Sequence, residues 1–203
     1  ENRANAGLTT FGVKLIEEMN RIGMLVDLTH MTDRSFFDSV AVSTKPVLVS
    51  HIGVRAICDT LPNLSDERIK AIGENGGVIG MEMVKTELKK GSQETGEEVN
   101  FNQVTKHINH IVDLIGIDHV CIGLDYDNFD LVHNIHRAMC PTPGSIEGFY
   151  TGIPKGDHML DHPNHPGQAD TIAEYLVQAG FSDEDIKKVL GGNMMRLFKE
   201  TLI

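Results

Sequence analysis

Cysteine is scarce in this chain: 203 residues contain three, Cys58, Cys121 and Cys140. They are too few and too scattered for a disulfide framework or a thiolate zinc site, and they leave the redox compartment open. Positive charge is also short. Eighteen Lys and Arg against 29 Asp and Glu give a net charge of −11. That argues against a nucleic-acid or anionic-membrane binder, since both need clustered basic side chains. No apolar run approaches the roughly twenty residues that a membrane-spanning helix needs. There is no repeat of fixed period, no low-complexity tract and no glycine-rich nucleotide fingerprint. Gly76-Gly77 and Gly191-Gly192 read as a helix stop and a turn. The first seven residues carry neither an initiator Met nor a signal peptide, so the chain reads as the middle of a longer one and its compartment stays unknown.

What is present is a globular composition, 40% hydrophobic, long enough for one real core. Its most informative feature is a pair of short apolar runs that each end on histidine. Met24-Leu25-Val26-Asp27-Leu28-Thr29-His30 is followed about twenty residues on by Pro46-Val47-Leu48-Val49-Ser50-His51. Continuous β-branched runs of this length predict strands buried on both faces, as in a parallel sheet covered by helices. Histidines at the ends of two consecutive parallel strands share one rim of the fold, the rim where α/β proteins do chemistry. Imidazole is the commonest metal ligand, so His30 and His51 are candidates for half of a metal site.

The remaining pattern repeats strand and helix. Thr9 or Thr10 caps a helix through Ile16 and Met19 that stops at Gly23, and Thr32 opens a second helix through Phe36, Phe37 and Val40. Ser65-Asp66-Glu67 starts a third helix, and residues 78–83 make a third strand. Residues 85–100 read as a solvated loop. An amphipathic helix through Val104, Ile108 and Ile111 ends at Gly116, and residues 119–124 form a fourth strand ending in Asp125-Tyr126-Asp127. A Pro- and His-containing segment, roughly 128–168, leads to the last helices. The class is α/β with four parallel βα units. An eight-stranded barrel needs about 250 residues. Because the chain starts on a helix, residues 1–203 read as one partial barrel domain, the C-terminal half.

Seven motifs in order resemble the renal (membrane) dipeptidase family of zinc peptidases. They are the two histidine runs with Leu8-Thr9-Thr10-Phe11-Gly12 before them, Asn63-Leu64-Ser65-Asp66, Gly76-Gly77-Val78-Ile79-Gly80, Asp118 through Asp127, and Leu190-Gly191-Gly192-Asn193-Met194-Met195-Arg196. The resemblance implies a barrel hydrolase that cleaves dipeptides with two zinc ions, other divalent metals being an alternative. It makes His30 and His51 ligands of one ion and sets Asp125 against the substrate's amino group and the catalytic water. It also implies that the family's His-x-Asp motif, its bridging glutamate and a further histidine precede Glu1, and that Glu82 does not replace the bridging residue.

Departures from the family are local. Its arginine for the substrate carboxylate is Pro62 here, with Arg55 nearby; Ser-Asn after the second histidine is Ile52-Gly53; and the glycine after Asp127 is Asn128. Several residues have blander readings. Asp125 alone could form a turn, and Asp127 reads as structural. His107 and His110 read as a packed or solvated helix face. His158, His162 and His165 have no role in the resemblance. Met19, Met24, Met81, Met83, Met194 and Met195 read as core filler.

Three functions follow: a zinc dipeptidase, a related metal-dependent amide or lactam hydrolase favoured by Pro62, or an incomplete fragment that folds and oligomerises. Expected partners are a dipeptide and either a second copy or a complementing N-terminal half. With two histidines and no bridging carboxylate, the chain alone is expected to bind at most one metal, weakly.

Overall fold

The two histidine runs lie side by side in the computed structural model, which describes residues 5–92, 98–125, 160 and 166–202. Three parallel strands, β1 (Leu48–Ile52), β2 (Val78–Met81) and β3 (Val120–Ile122), form a sheet in sequence order. Helices intervene between successive strands, as the βα pattern requires. The architecture is therefore α/β with parallel strands.

The first predicted strand differs from expectation. Residues 26–28 flank β1 through a single parallel bridge, Asp27 to Leu48, instead of a full ladder. Leu28 N–H donates to Leu48 O at 2.8 Å and Leu48 N–H to Val26 O at 2.9 Å. The next donor, Ser50 N–H, turns to side chains: Thr29 Oγ1 at 2.8 Å and Asp27 Oδ1 at 3.1 Å. Local side-chain acceptors thus replace backbone pairing where the rim begins.

β1 itself is irregular there. Val49 pairs with Ile79 and Ile52 with Met81, so three steps on β1 match two on β2. This bulge at Ser50-His51 re-aims both side chains. It also needs room. A Cβ on Gly80 would stand 2.0 Å from Ser50 O, and one on Gly123 would stand 1.9 Å from it. Only glycine lets the neighbouring strands pass the displaced carbonyl.

Capping explains the helix limits. α1 (Thr10–Ile22) starts where Thr9 Oγ1 accepts from Gly12 N–H at 3.1 Å. It ends at Gly23 with φ 72°, where Met24 N–H closes onto Met19 O at 2.8 Å. α2 spans Asp33–Val42 and α3 spans Asp66–Asn75, which has Asp66 and Glu67 in its first turn and Gly76 in the left-handed conformation at its end. The described parts of the 85–100 stretch, residues 85–92 and 98–100, are not simply a solvated loop. They begin with α4 (Lys85–Leu88), and Leu88 and Val99 are buried. Both side chains pack into the main core. α5 follows at Phe101–Ile115.

The sheet is apolar on both sides. Val49, Ile79 and Val120 join Ile69, Ile72, Ile108 and Ile111 in the main core, while Leu48, Val78 and Cys121 bury against Leu197. Leu197 belongs to α8 (Asn193–Thr201), which follows α6 (Ala169–Gln178), α7 (Asp183–Lys187) and a wide π turn at Lys188–Gly192. Asn193 Nδ2 donates to Ile117 O at 2.7 Å and Val120 O at 2.8 Å, and Arg196 donates to Gly76 O and Asp118 O at 3.1 Å each. Those carbonyls precede β2 and lie at the start of β3. The tail therefore closes the end of the sheet opposite the histidine rim.

Candidate functional site

His30 follows the bridged segment and His51 lies in the β1 bulge. The bulge and the left-handed turn at His30 (φ 60°) bring their Nε2 atoms to 3.1 Å, with ring centroids 5.0 Å apart. Asp125, three residues beyond β3, also has a left-handed backbone (φ 50°), and its Oδ1 stands 3.6 Å from His51 Nε2. Three sequence-predicted residues thus meet on one rim. Two of them hold a conformation that costs most non-glycine residues energy, although Asp and His tolerate it better than others.

The loop after His30 is anchored from α3. Buried Arg68 donates to Met31 O at 3.1 Å, pairs with Asp33 and stacks over the Phe36 ring at 5.0 Å. His51 is held from behind. Its Nδ1 lies 2.9 Å from Ser50 Oγ, which lies 3.1 Å from Thr29 Oγ1, which donates to Asp27 Oδ1 at 2.7 Å. Burial raises the Asp27 carboxyl, but hydrogen bonds from Ser50 and Thr29 outweigh it and hold Asp27 below its ordinary value.

Glu82, at the same end of β2, is 1% exposed. Burial pushes its carboxyl well above the ordinary value, helped by the charge of Glu87 and a hydrogen bond to it, and by Asp125. It therefore keeps its proton to higher pH than an ordinary glutamate. Sequence reasoning missed Asp27, Thr29, Ser50, Arg68 and the Glu82–Glu87 pair as supports. The one available signal was the hydroxyl residue directly before each histidine.

Other candidates are accounted for by packing. His107 is fully buried: its Nδ1 accepts from Val54 N–H at 2.9 Å and its Nε2–H donates to Leu88 O at 3.1 Å. Burial pushes it down to about 4, so it is a neutral structural ring. His110 pairs with Asp66 at 2.8 Å. Cys58 and Cys121 are buried thiols raised by burial, Cys121 to about 12. Asp127, Asn128, Cys140, His158, His162 and His165 lie outside the described residues.

Pro62, which the resemblance sets where an arginine is expected, is half-buried. The neighbouring Arg55 donates to Leu61 O at 2.9 Å and helps close the loop. Asn63 is buried behind it, donating to Cys58 O at 2.8 Å and Glu87 O at 2.7 Å. The Asn-Leu-Ser-Asp motif thus staples the loop after β1 to α4.

The donor set suits a divalent metal. Two nitrogens each about 2.0–2.1 Å from one tetrahedral zinc stand roughly 3.3–3.4 Å apart. The histidine pair lies within a few tenths of an ångström of that. Among the described residues no group of three or more His, Cys, Asp or Glu is arranged to hold an ion by itself.

Comparison with known proteins gives consistent likenesses. A profile of the membrane dipeptidase family (peptidase family M19) matches residues 1–137. Dipeptidase 3 of Rattus norvegicus is 32% identical over 195 residues, which is 96% of this chain and 33% of that protein. The human Dipeptidase 3 is 32% identical over 196 residues. The chain thus spans about a third of the length of the curated relatives it matches. Among solved structures, a Rhodobacter sphaeroides metallopeptidase, liganded with a phosphinate mimic of L-Ala-D-Ala, superimposes with TM-score 0.76 at 22% identity over 96% of this chain and 47% of its own. A Pseudomonas aeruginosa amidohydrolase gives TM-score 0.78 at 24% identity over 97% of this chain and 58% of its own. These two likenesses concern the fold.

Proposed function

We propose a function from one premise: the chain belongs to the membrane dipeptidase family. It is part of a zinc-dependent hydrolase that cleaves the peptide bond of dipeptides, and residues 1–203 are the C-terminal half of its (β/α) barrel, one partial domain. The observation that carries this reading is the approach of His30 Nε2 and His51 Nε2 to 3.1 Å, with Asp125 Oδ1 3.6 Å from the second ring. In this reading His30 and His51 hold one ion of a two-zinc site. Zinc bound there supplies Lewis-acid polarisation of the scissile carbonyl and lowers the pKa of a water. Asp125 has the chemistry to accept that water's proton at Oδ1 and to pair with the substrate's ammonium group. Burial first, then the charges of Glu87 and Asp125, raise the Glu82 carboxyl above its ordinary value, so ionising it beside Asp125 is disfavoured.

The test is elemental analysis of the natural full-length protein together with dipeptide hydrolysis on the same sample. Two zinc ions per chain with turnover are expected, and His51→Ala should lose turnover and one of the ions while the circular dichroism spectrum persists. Turnover by His51→Ala at the parental rate would overturn the metal assignment.

Pro62 favours a second reading, a metal-dependent amide or lactam hydrolase with another substrate. Proline offers no charge for a terminal carboxylate, and Arg55 is already engaged by Leu61 O. Hydrolysis of an N-acyl amide or lactam in preference to dipeptides would establish that reading.

A further inference from the structure

A histidine can bind a metal only through a bare nitrogen, and the hydrogen bond at its other nitrogen decides which one is bare. For His51 that bond runs between Nδ1 and Ser50 Oγ, 2.9 Å apart. Its direction follows from counting protons along the chain of contacts behind it.

Ionised Asp27 can only accept. Its Oδ1 takes the backbone N–H of Thr29 at 3.0 Å, the backbone N–H of Ser50 at 3.1 Å and the Thr29 hydroxyl at 2.7 Å. The single hydroxyl proton of Thr29 is thereby used. In the 3.1 Å contact between the two hydroxyls, Ser50 must then be the donor. Its own single proton is used in turn, so Ser50 Oγ can only accept from His51. The reverse direction would leave either Asp27 or Thr29 Oγ1 facing another oxygen with no proton between them.

We infer that Asp27, Thr29 and Ser50 form a directional relay that fixes His51 as its Nδ1–H tautomer and keeps Nε2 bare for a divalent cation. The bare nitrogen is the one that stands 3.1 Å from His30 Nε2. The inference rests on the proposed metal role of His51. The three residues act through that ring and are positioning residues. Thr29 and Ser50 are the residues directly before the two histidines, so the relay is written into the same two strand ends that carry the rings.

The experiment reads the tautomer directly. Natural full-length protein with 15N-labelled histidine is stripped of metal and studied in mildly alkaline buffer by long-range 1H–15N correlation, His51 being assigned by the signal lost in His51→Gln. Wild-type His51 is expected to carry its proton on Nδ1. Ser50→Ala and Thr29→Val should move it toward Nε2 and weaken zinc binding tenfold to a hundredfold. Ser50→Thr, which keeps the hydroxyl, should preserve both. A wild-type His51 protonated on Nε2 would overturn the relay, as would Ser50→Ala with unchanged tautomer and unchanged zinc affinity. If the variants misfold, the wild-type spectrum decides alone. The spectrum needs neither metal nor substrate, so an Nδ1–H ring in a protein without dipeptidase turnover would sink the proposed activity and leave the relay standing.

Discussion

His30 and Asp125 hold left-handed backbones, at φ 60° and 50°, that a side chain makes costly. Glycine has no such penalty. His30→Gly should therefore be more stable than His30→Ala by about 1 kcal/mol, read from urea midpoints, while both lose zinc to the same degree. A stability order with alanine above glycine would mean that His30 is not strained. Pro62 makes a second residue-scale prediction. If the site takes dipeptides, Pro62→Arg restores a cation for the terminal carboxylate, a charge-assisted contact of about 1.5–3 kcal/mol. The KM for dipeptides should fall roughly tenfold or more with kcat little changed. An unaltered KM would indicate a substrate without that carboxylate.

Among the elements, the β1 bulge and the two glycines beside it act as one device. Gly80→Ala or Gly123→Ala must displace the Ser50 carbonyl, and with it the bulge that aims His51. Overpacking of this kind costs about 1–3 kcal/mol. The expected signature is a lowered urea midpoint together with weakened zinc binding. Leu197→Ala at the opposite end of the sheet provides the contrast. It opens a cavity beneath Leu48, Val78 and Cys121 and should cost about 2–5 kcal/mol, yet leave zinc affinity in the folded protein near the parental value. The two variants separate the element that aims the site from the element that only holds the sheet.

For the molecule as a whole, two buried groups set opposite pH limits in the metal-free protein. Burial pushes His107 down to about 4 from an ordinary 6.5. Between those values the unfolded chain takes up a proton that the folded ring refuses, so stability is full above 6.5 and falls as pH drops toward 4, by about 3 kcal/mol. Glu82 works the other way. Its folded value is raised, so the unfolded chain releases a proton that the folded one keeps, and stability declines as pH rises above 4.5. Urea midpoints measured across pH should trace a dome. His107→Gln should flatten the acid limb and Glu82→Gln should lift the alkaline one. A variant whose curve superimposes on the parent's would remove that residue from the account. No helix among the described residues is long and apolar enough to cross a membrane.

The alternation of helix and parallel strand, the helix stops at Gly23 and Gly76, and the placement of His30, His51 and Asp125 on one rim were legible in the sequence. Apolar periodicity, capping residues and strand-end position are local properties, and local properties survive folding. The family was legible too, because its motifs sit at strand ends and helix starts, which local sequence marks. The tertiary structure decided what depends on partners distant in sequence. Ser50 N–H turns to Asp27 and Thr29, which shortens the first strand to a bridge. Leu88 and Val99 find the core, although the polar residues around them read as solvated. Arg68 reaches back thirty-seven residues to Met31, and Asn193 reaches seventy-three residues to Val120. No spacing rule predicts such contacts. They arise because a buried donor must find whichever carbonyl the packed fold leaves beside it.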